Sequence, residues 1–118
     1  MSAMDVTIYH NPRCSKSRQA LDMLRERGLE PEVVEYLKTP PSRETLEAIV
    51  AATGEPVRAL LRKQGSPYEE LGLDDAKWSD AQLIGFMAEH PALMNRPVVV
   101  TEKGARLGRP LERIDEIL

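Results

Sequence analysis

Residues Val6 to Tyr36 read VTIYHNPRCSKSRQALDMLRERGLEPEVVEY. Val6-Thr7-Ile8-Tyr9 alternates and is rich in β-formers, which predicts a strand. Asn11-Pro12 breaks it. From Ser15 to Arg27 the pattern turns helical, with Ala20, Leu21 and Leu24 at helical spacing, and Gly28 suits the position just past a helix end. Glu32 to Tyr36 predicts a second strand. Strand, helix and strand in this order imply a right-handed crossover and a parallel pair.

Beyond Tyr36 the chain turns helical for a long stretch. Thr39-Pro40-Pro41 ends the strand region, and Ser42 can cap a helix to Thr53 with Leu46, Ile49 and Val50 inward and Gly54 as its stop. Pro56 can open a short helix through Val57, Leu60 and Leu61. Ser66-Pro67-Tyr68-Glu69 and Ser79-Asp80-Ala81-Gln82 both fit a capping box, which predicts two more helix starts. The second of these helices buries Leu83, Ile84 and Met87 and ends at His90-Pro91. Val98 to Thr101 is then a strand, Glu102-Lys103-Gly104 a tight turn, and Ala105 to Leu107 the returning partner. After Arg109-Pro110 a last helix carries Leu111, Ile114, Ile117 and Leu118 on one face. The order β-α-β, helical middle, β-β-α predicts an α/β fold. It is a thioredoxin-like, four-stranded mixed sheet with helices inserted over about 42–90, the last two strands forming an antiparallel hairpin.

With 118 residues, the expectation is one domain over 1–118. Hydrophobic residues make up 42% and charged ones 30%, the balance of a soluble globular protein. A net charge of −3 and a pI near 5.4 lack the basic excess of a non-specific nucleic-acid binder. No apolar run is long enough to span a bilayer, so no membrane partner is expected. Met1-Ser2-Ala3-Met4-Asp5 has neither the basic nor the apolar region of a secretory signal, so the expected location is cytoplasmic. The single cysteine, Cys14, excludes a disulfide within the chain and a zinc site built of thiolates. His10 and His90 are far apart in sequence and form no ligand cluster, so no metal is expected. Of 16 basic residues, 11 are Arg, whose fixed fork of donors suits oxyanions.

Cys14 falls between the first strand and the first helix. A thiol there meets the unpaired N–H groups and the positive end of the helix dipole. Arg13, Lys16 and Arg18 add positive charge, and both effects favour the thiolate. Asn11, Ser15 and Ser17 supply polar groups for the thiolate or a bound anion. A lone cysteine is more often a small buried hydrophobe. Here its flanks are polar or charged apart from Pro12, which points to a reactive thiol. The same loop outlines an oxyanion site, with backbone N–H groups after Cys14 converging on an anion held against the sulfur. Arg62, Arg96 and Arg109 are candidates for the charge such an anion needs. A single Arg is ordinarily a solvated side chain, and spacing alone does not lift these three above that reading. His10 either pairs with the thiolate or serves as a structural histidine. Trp78, just before the Ser79 cap, reads as packing, His90 as a helix-end residue, and Met23, Met87 and Met94 as fillers.

Tyr9-His10-Asn11-Pro12-Arg13-Cys14-Ser15-Lys16-Ser17-Arg18 resembles the active-site segment of the glutaredoxin-coupled arsenate reductases, most of all their short chromosomal members. Val57 to Lys63, Pro67 to Leu73, His90-Pro91 with Asn95 to Val100, and Gly104 to Pro110 extend the likeness, in order, over nearly the whole chain. The resemblance implies arsenate reduction to arsenite on a thioredoxin-like fold. It implies Cys14 as nucleophile, Arg62, Arg96 and Arg109 as oxyanion-binding arginines, and His10 and Ser17 as supporting residues, to which the polar loop position of Asn11 adds a third. It also implies a cis Pro97 facing the thiol. No cofactor is expected to be bound. Arsenic(V) reduction takes two electrons, and one thiol cannot supply both and reset itself, so the second sulfur must come from outside. Glutathione is the expected external reductant and glutaredoxin its protein partner, with the chain itself a monomer. Two rivals share the scaffold. Spx-type regulators bind RNA polymerase and generally carry a Cys-x-x-Cys switch, but Ser17 stands at the second position here. The other is a glutathione-dependent thiol reductase.

Overall fold

The computed structural model describes residues 5–118; the Met1 to Met4 part of the segment read for a leader lies outside them. The β-rich stretch forms β1 (Val6–His10), followed by α1 (Ser15–Glu26) and β2 (Glu32–Glu35). Thr7 to His10 of β1 pair in parallel with Glu32 to Glu35 of β2, the arrangement the strand-helix-strand pattern predicts. Val6 to Tyr9 pair antiparallel with β3 (Val98–Thr101), which forms a hairpin with β4 (Gly104–Leu107). The sheet is four-stranded and mixed, in the order β2-β1-β3-β4.

The period-two pattern sorts side chains onto two faces. Val6, Ile8 and Val99 pack against Ala20, Leu21 and Leu24 of α1 and against Ile114 and Ile117 near the C-terminus. Tyr9, Val98, Ala105 and Leu107 point the other way, into a core with Leu46 and Ile49 of α2 (Arg43–Thr53) and Leu83, Ile84 and Met87 of α3 (Asp80–Glu89). Both of these helices start where the sequence puts caps. Ser42 Oγ accepts the Thr45 N–H, and Ser79 forms a complete capping box with Gln82. Gly54 ends α2 at φ +68°, a left-handed conformation that glycine adopts without a Cβ clash. No helix among the described residues is long and apolar enough to cross a membrane.

Three elements differ from expectation. The Ser66 capping box starts no helix: residues 67–77 run through turns. Ser66 Oγ accepts the Tyr68 N–H and donates to the Arg62 carbonyl, so it closes its own loop. One turn comes next, with Leu71 N–H on the Pro67 carbonyl, and Gly72 at φ +67° ends it. The stretch after Pro56 is a 3₁₀ turn over Val57–Leu60, and the last element, Leu111–Ile117, is also 3₁₀. In that last element the inward apolar residues Leu111, Ile114 and Ile117 recur every three positions, the 3₁₀ period. Trp78 packs its ring edge on Phe86, with centroids 5.0 Å apart, and its indole N–H donates to the Gly72 carbonyl.

Candidate active site

The loop from β1 to α1 tightens because the Cys14 N–H donates to the Asn11 carbonyl, 3.0 Å away. Asn11 Oδ1 accepts the Arg13 N–H, and Arg18 Nη1 reaches back to the Pro12 carbonyl. Cys14 thereby becomes the N-cap residue of α1, in extended conformation. Its carbonyl accepts the Arg18 N–H, while its side chain caps nothing and is left to face the site. Burial alone would push the thiol up. The Ser17 N–H, the charge and side-chain bond of Arg96, and the Lys16 N–H outweigh it, so the thiol ionises below its ordinary range.

One of the three candidate arginines, Arg109, bonds Cys14, and a second, Arg96, favours its ionisation. Arg109 Nη2 donates to Sγ at 3.7 Å, and its Nε donates to the Arg96 carbonyl at 2.7 Å. Arg96 is 7% exposed, and its Nε and Nη1 find no hydrogen-bond partner among the described residues. Both arginines precede a proline across a cis bond, Pro97 as the resemblance implies and Pro110 without any expectation for it. Arg62 stands differently. Its N–H donates to the Leu93 carbonyl, and its guanidinium lies along its own loop, against Gly65. It meets Arg109 only as a wall of one pocket of about 400 Å³, with Leu61, Lys63, Gln64 and Asn95.

The supporting residues form a buried chain of bonds. Ser17 Oγ accepts the Asn11 N–H at 3.0 Å and meets His10 Nδ1 at 2.6 Å. Burial pushes the imidazole down, Glu35 works against this, and Arg25 and Arg18 add to it. Burial thus favours the neutral imidazole. The geometry favours a structural histidine bonded to Ser17 over an imidazolium paired with the thiolate. Ser15, Arg13, Lys16 and Arg18 are exposed at the rim.

Tyr36 is a residue that sequence reasoning took only as the end of a strand. It is 1% exposed. Burial pushes its phenol up; Arg96 and a bond with the Asn11 side chain oppose this, Cys14 adds to it, and Arg109 opposes. The phenol thus keeps its proton beside the two arginines. The signal lay in the register: Glu35 pairs with His10, so the next residue lies beside the loop after β1. Among the described residues no group of histidine, cysteine and carboxylate side chains is placed to hold a metal. The arrangement is a thiol whose ionisation is favoured, at a helix N-terminus and facing cationic donors. It suits nucleophilic attack on the central atom of an oxyanion.

Residues 9–117 match the ArsC family. An arsenate reductase of Yersinia enterocolitica is 56% identical over 114 residues, covering 97% of this chain and 81% of the relative. One from Rhizobium meliloti is 56% identical over 115 residues, covering 98% and 82%. Among solved structures, an arsenate reductase from Vibrio cholerae superposes with a TM-score of 0.94 at 48% identity, covering 99% of this chain and all of that one.

Proposed function

The chain belongs to the ArsC family, and from that premise we propose that it is an arsenate reductase using Cys14 as its nucleophile. The observation that carries this reading is the Cys14 sulfur at a helix start with Arg109 on it and Arg96 beside it. The thiolate attacks arsenic(V) held by Arg62, Arg96 and Arg109. A sulfur–arsenic bond forms, and one oxygen leaves as water after taking up protons. The guanidinium groups neutralise the charge that builds as it leaves. An external thiolate then attacks the Cys14 sulfur. The sulfur–arsenic bond breaks, its electron pair stays with arsenic, and arsenite is released. Two sulfurs have lost the two electrons that arsenic gained, and Cys14 is left in a mixed disulfide. A second thiol clears it by exchange.

Glutathione is the thiol this scheme calls for, and glutaredoxin the protein that takes the glutathione off. The cycle belongs in a reducing compartment such as the cytoplasm. His10, Asn11 and Ser17 support the loop. The test supplies arsenate with glutathione and glutaredoxin and monitors arsenite, with intact-mass spectrometry of the enzyme. The expected results are multiple turnovers, a glutathione adduct on Cys14, and no turnover by Cys14→Ser, which keeps the fold. Sustained turnover without any external reductant, or by Cys14→Ser, overturns the reading.

A further inference from the structure

The oxygen that leaves arsenic needs a proton. Arg96 and Arg109 hold theirs at any working pH. His10 Nδ1 is bonded to Ser17, and burial favours its neutral ring. Tyr36 stands differently. Glu35, the last residue of β2, pairs with His10, the last of β1, so Tyr36 lies beside the loop that carries Cys14. It is 1% exposed and shares a core with Leu60, Leu61 and Met94, which lead to Arg62 and Arg96. Asn11 orients it. Asn11 Oδ1 accepts the Arg13 N–H, and the Asn11 bond to the phenol favours the ionised form, as a donated N–H does. The amide thus gives to the phenol oxygen and leaves the phenol's own proton for another acceptor. Arg96, Cys14 and Arg109 all act on the same phenol, which puts it among the groups around the proposed oxyanion.

We propose that Tyr36 is a catalytic residue of the arsenate step, its hydroxyl handing a proton to the oxygen that leaves arsenic as the Cys14 thiolate attacks. The proposal rests on the arsenate reading and supplies its acid. The sulfur–arsenic bond forms and the bond from arsenic to a hydroxyl breaks. That hydroxyl takes the bonding pair and the phenol proton and departs as water. Arsenic stays arsenic(V) in this step, so no reductant enters. The phenolate, beside Arg96 and Arg109, regains its proton from solvent. Burial holds the phenol proton in place until so basic an acceptor appears. Water has a pKa of ~15.7 against ~10 for an ordinary phenol, which makes transfer to a departing hydroxide favourable.

The test is Tyr36→Phe, which keeps the ring and removes the hydroxyl. At saturating glutathione and glutaredoxin, kcat/KM for arsenate should fall about a hundredfold or more, the share of a positioned general acid. The rate at which iodoacetamide alkylates Cys14 should stay within about twofold, since the Ser17 and Lys16 N–H groups and Arg96 still act on the sulfur. The wild type gives a second measurement that needs no variant. Its kcat/KM should be lower in heavy water, because a proton moves with the leaving oxygen. An arsenate loss matched by an equal loss of alkylation would make Tyr36 a support of the loop and overturns the inference. Unchanged kcat/KM in Tyr36→Phe, or equal wild-type rates in the two solvents, overturns it as well. Each of these results leaves the proposed function standing, because the wild type turns over arsenate in all of them. A wild type that reduces no arsenate overturns both.

Discussion

At Cys14 the backbone acts alongside the side chains. The Ser17 and Lys16 N–H groups act on the sulfur together with Arg96. The Ser17 hydroxyl has a separate task, bonding His10 Nδ1 and the Asn11 N–H in a fully buried position. The two tasks come apart in Ser17→Ala. The buried His10 and the half-buried Asn11 N–H lose their partner, at a cost of about 1–3 kcal/mol in denaturant unfolding. The thiol keeps the N–H, so its titration, read by thiolate absorbance against pH, should stay near the wild-type midpoint, below that of a free cysteine. A midpoint moved up to the free-cysteine range would mean the hydroxyl itself holds the thiolate. The arginines make a second case. Arg62→Lys, Arg96→Lys and Arg109→Lys keep the charge but lose the two-pronged geometry. Each should lower kcat/KM for arsenate by about 2–4 kcal/mol of transition-state stabilisation. Near-wild-type values in all three would end the shared-site reading. Cys14 was legible because its neighbours are polar and charged, which is local information. The arginines became candidates from residue type and the resemblance, because no local signal tells a clamp from a solvated side chain. Tyr36 escaped because its role depends on which strands pair.

The helices show which local signals suffice. Ser79 and Ser66 carry the same capping pattern, yet only Ser79 starts a helix. The residues downstream of each serine decide between them. Ten helical residues with a buried face come after Ser79, whereas Gly72 comes six residues after Ser66. Ser79→Ala removes the bond to the Gln82 N–H and should cost about 1 kcal/mol in denaturant unfolding. Arsenate turnover should be unchanged, since no hydrogen bond among the described residues joins α3 to Cys14. Loss of turnover without loss of stability would contradict that separation. The strands were legible from their β-branched and aromatic residues and the turn signals between them, although only β4 alternates cleanly in burial and β2 does not alternate at all. The final element was not read as 3₁₀, although its apolar residues at 111, 114 and 117 fit three per turn as well as they fit an α-helix.

Across the whole molecule, the proposed site draws on distant parts of the chain, with Arg109 on Cys14 and Arg62 reaching it only as a wall of the pocket it shares with Arg109. Cys14 comes after β1, Arg62 lies in the middle segment, Arg96 precedes β3, and Arg109 comes after β4. An oxyanion that all of them hold ties both sides of the sheet together and binds only the folded chain. Arsenate at a hundred times its dissociation constant should then stabilise the fold by about 2.7 kcal/mol. That is a rise of roughly 10 °C in Tm for a domain of this size, read by differential scanning calorimetry. An unchanged Tm at saturating arsenate would show that the site is not assembled as described. None of this long-range convergence is visible in any window of the sequence; it arises from the sheet order.

Arg96 carries a last consequence. A guanidinium held in the interior with Nε and Nη1 unbonded among the described residues is a liability to the resting fold. Its compensation is the thiolate, and that compensation depends on pH. A cysteine whose native pKa is depressed adds stability above its unfolded pKa and loses it as pH falls through the native one. Arg96→Met should therefore unfold at higher denaturant than wild type in acid, and the advantage should shrink as pH rises through the thiol's range. Chemical denaturation across pH measures both. A variant less stable than wild type at every pH would show that the arginine is a structural strut. Selection for robustness alone would discard this arginine early, so its presence marks a place where the chain trades endurance for readiness.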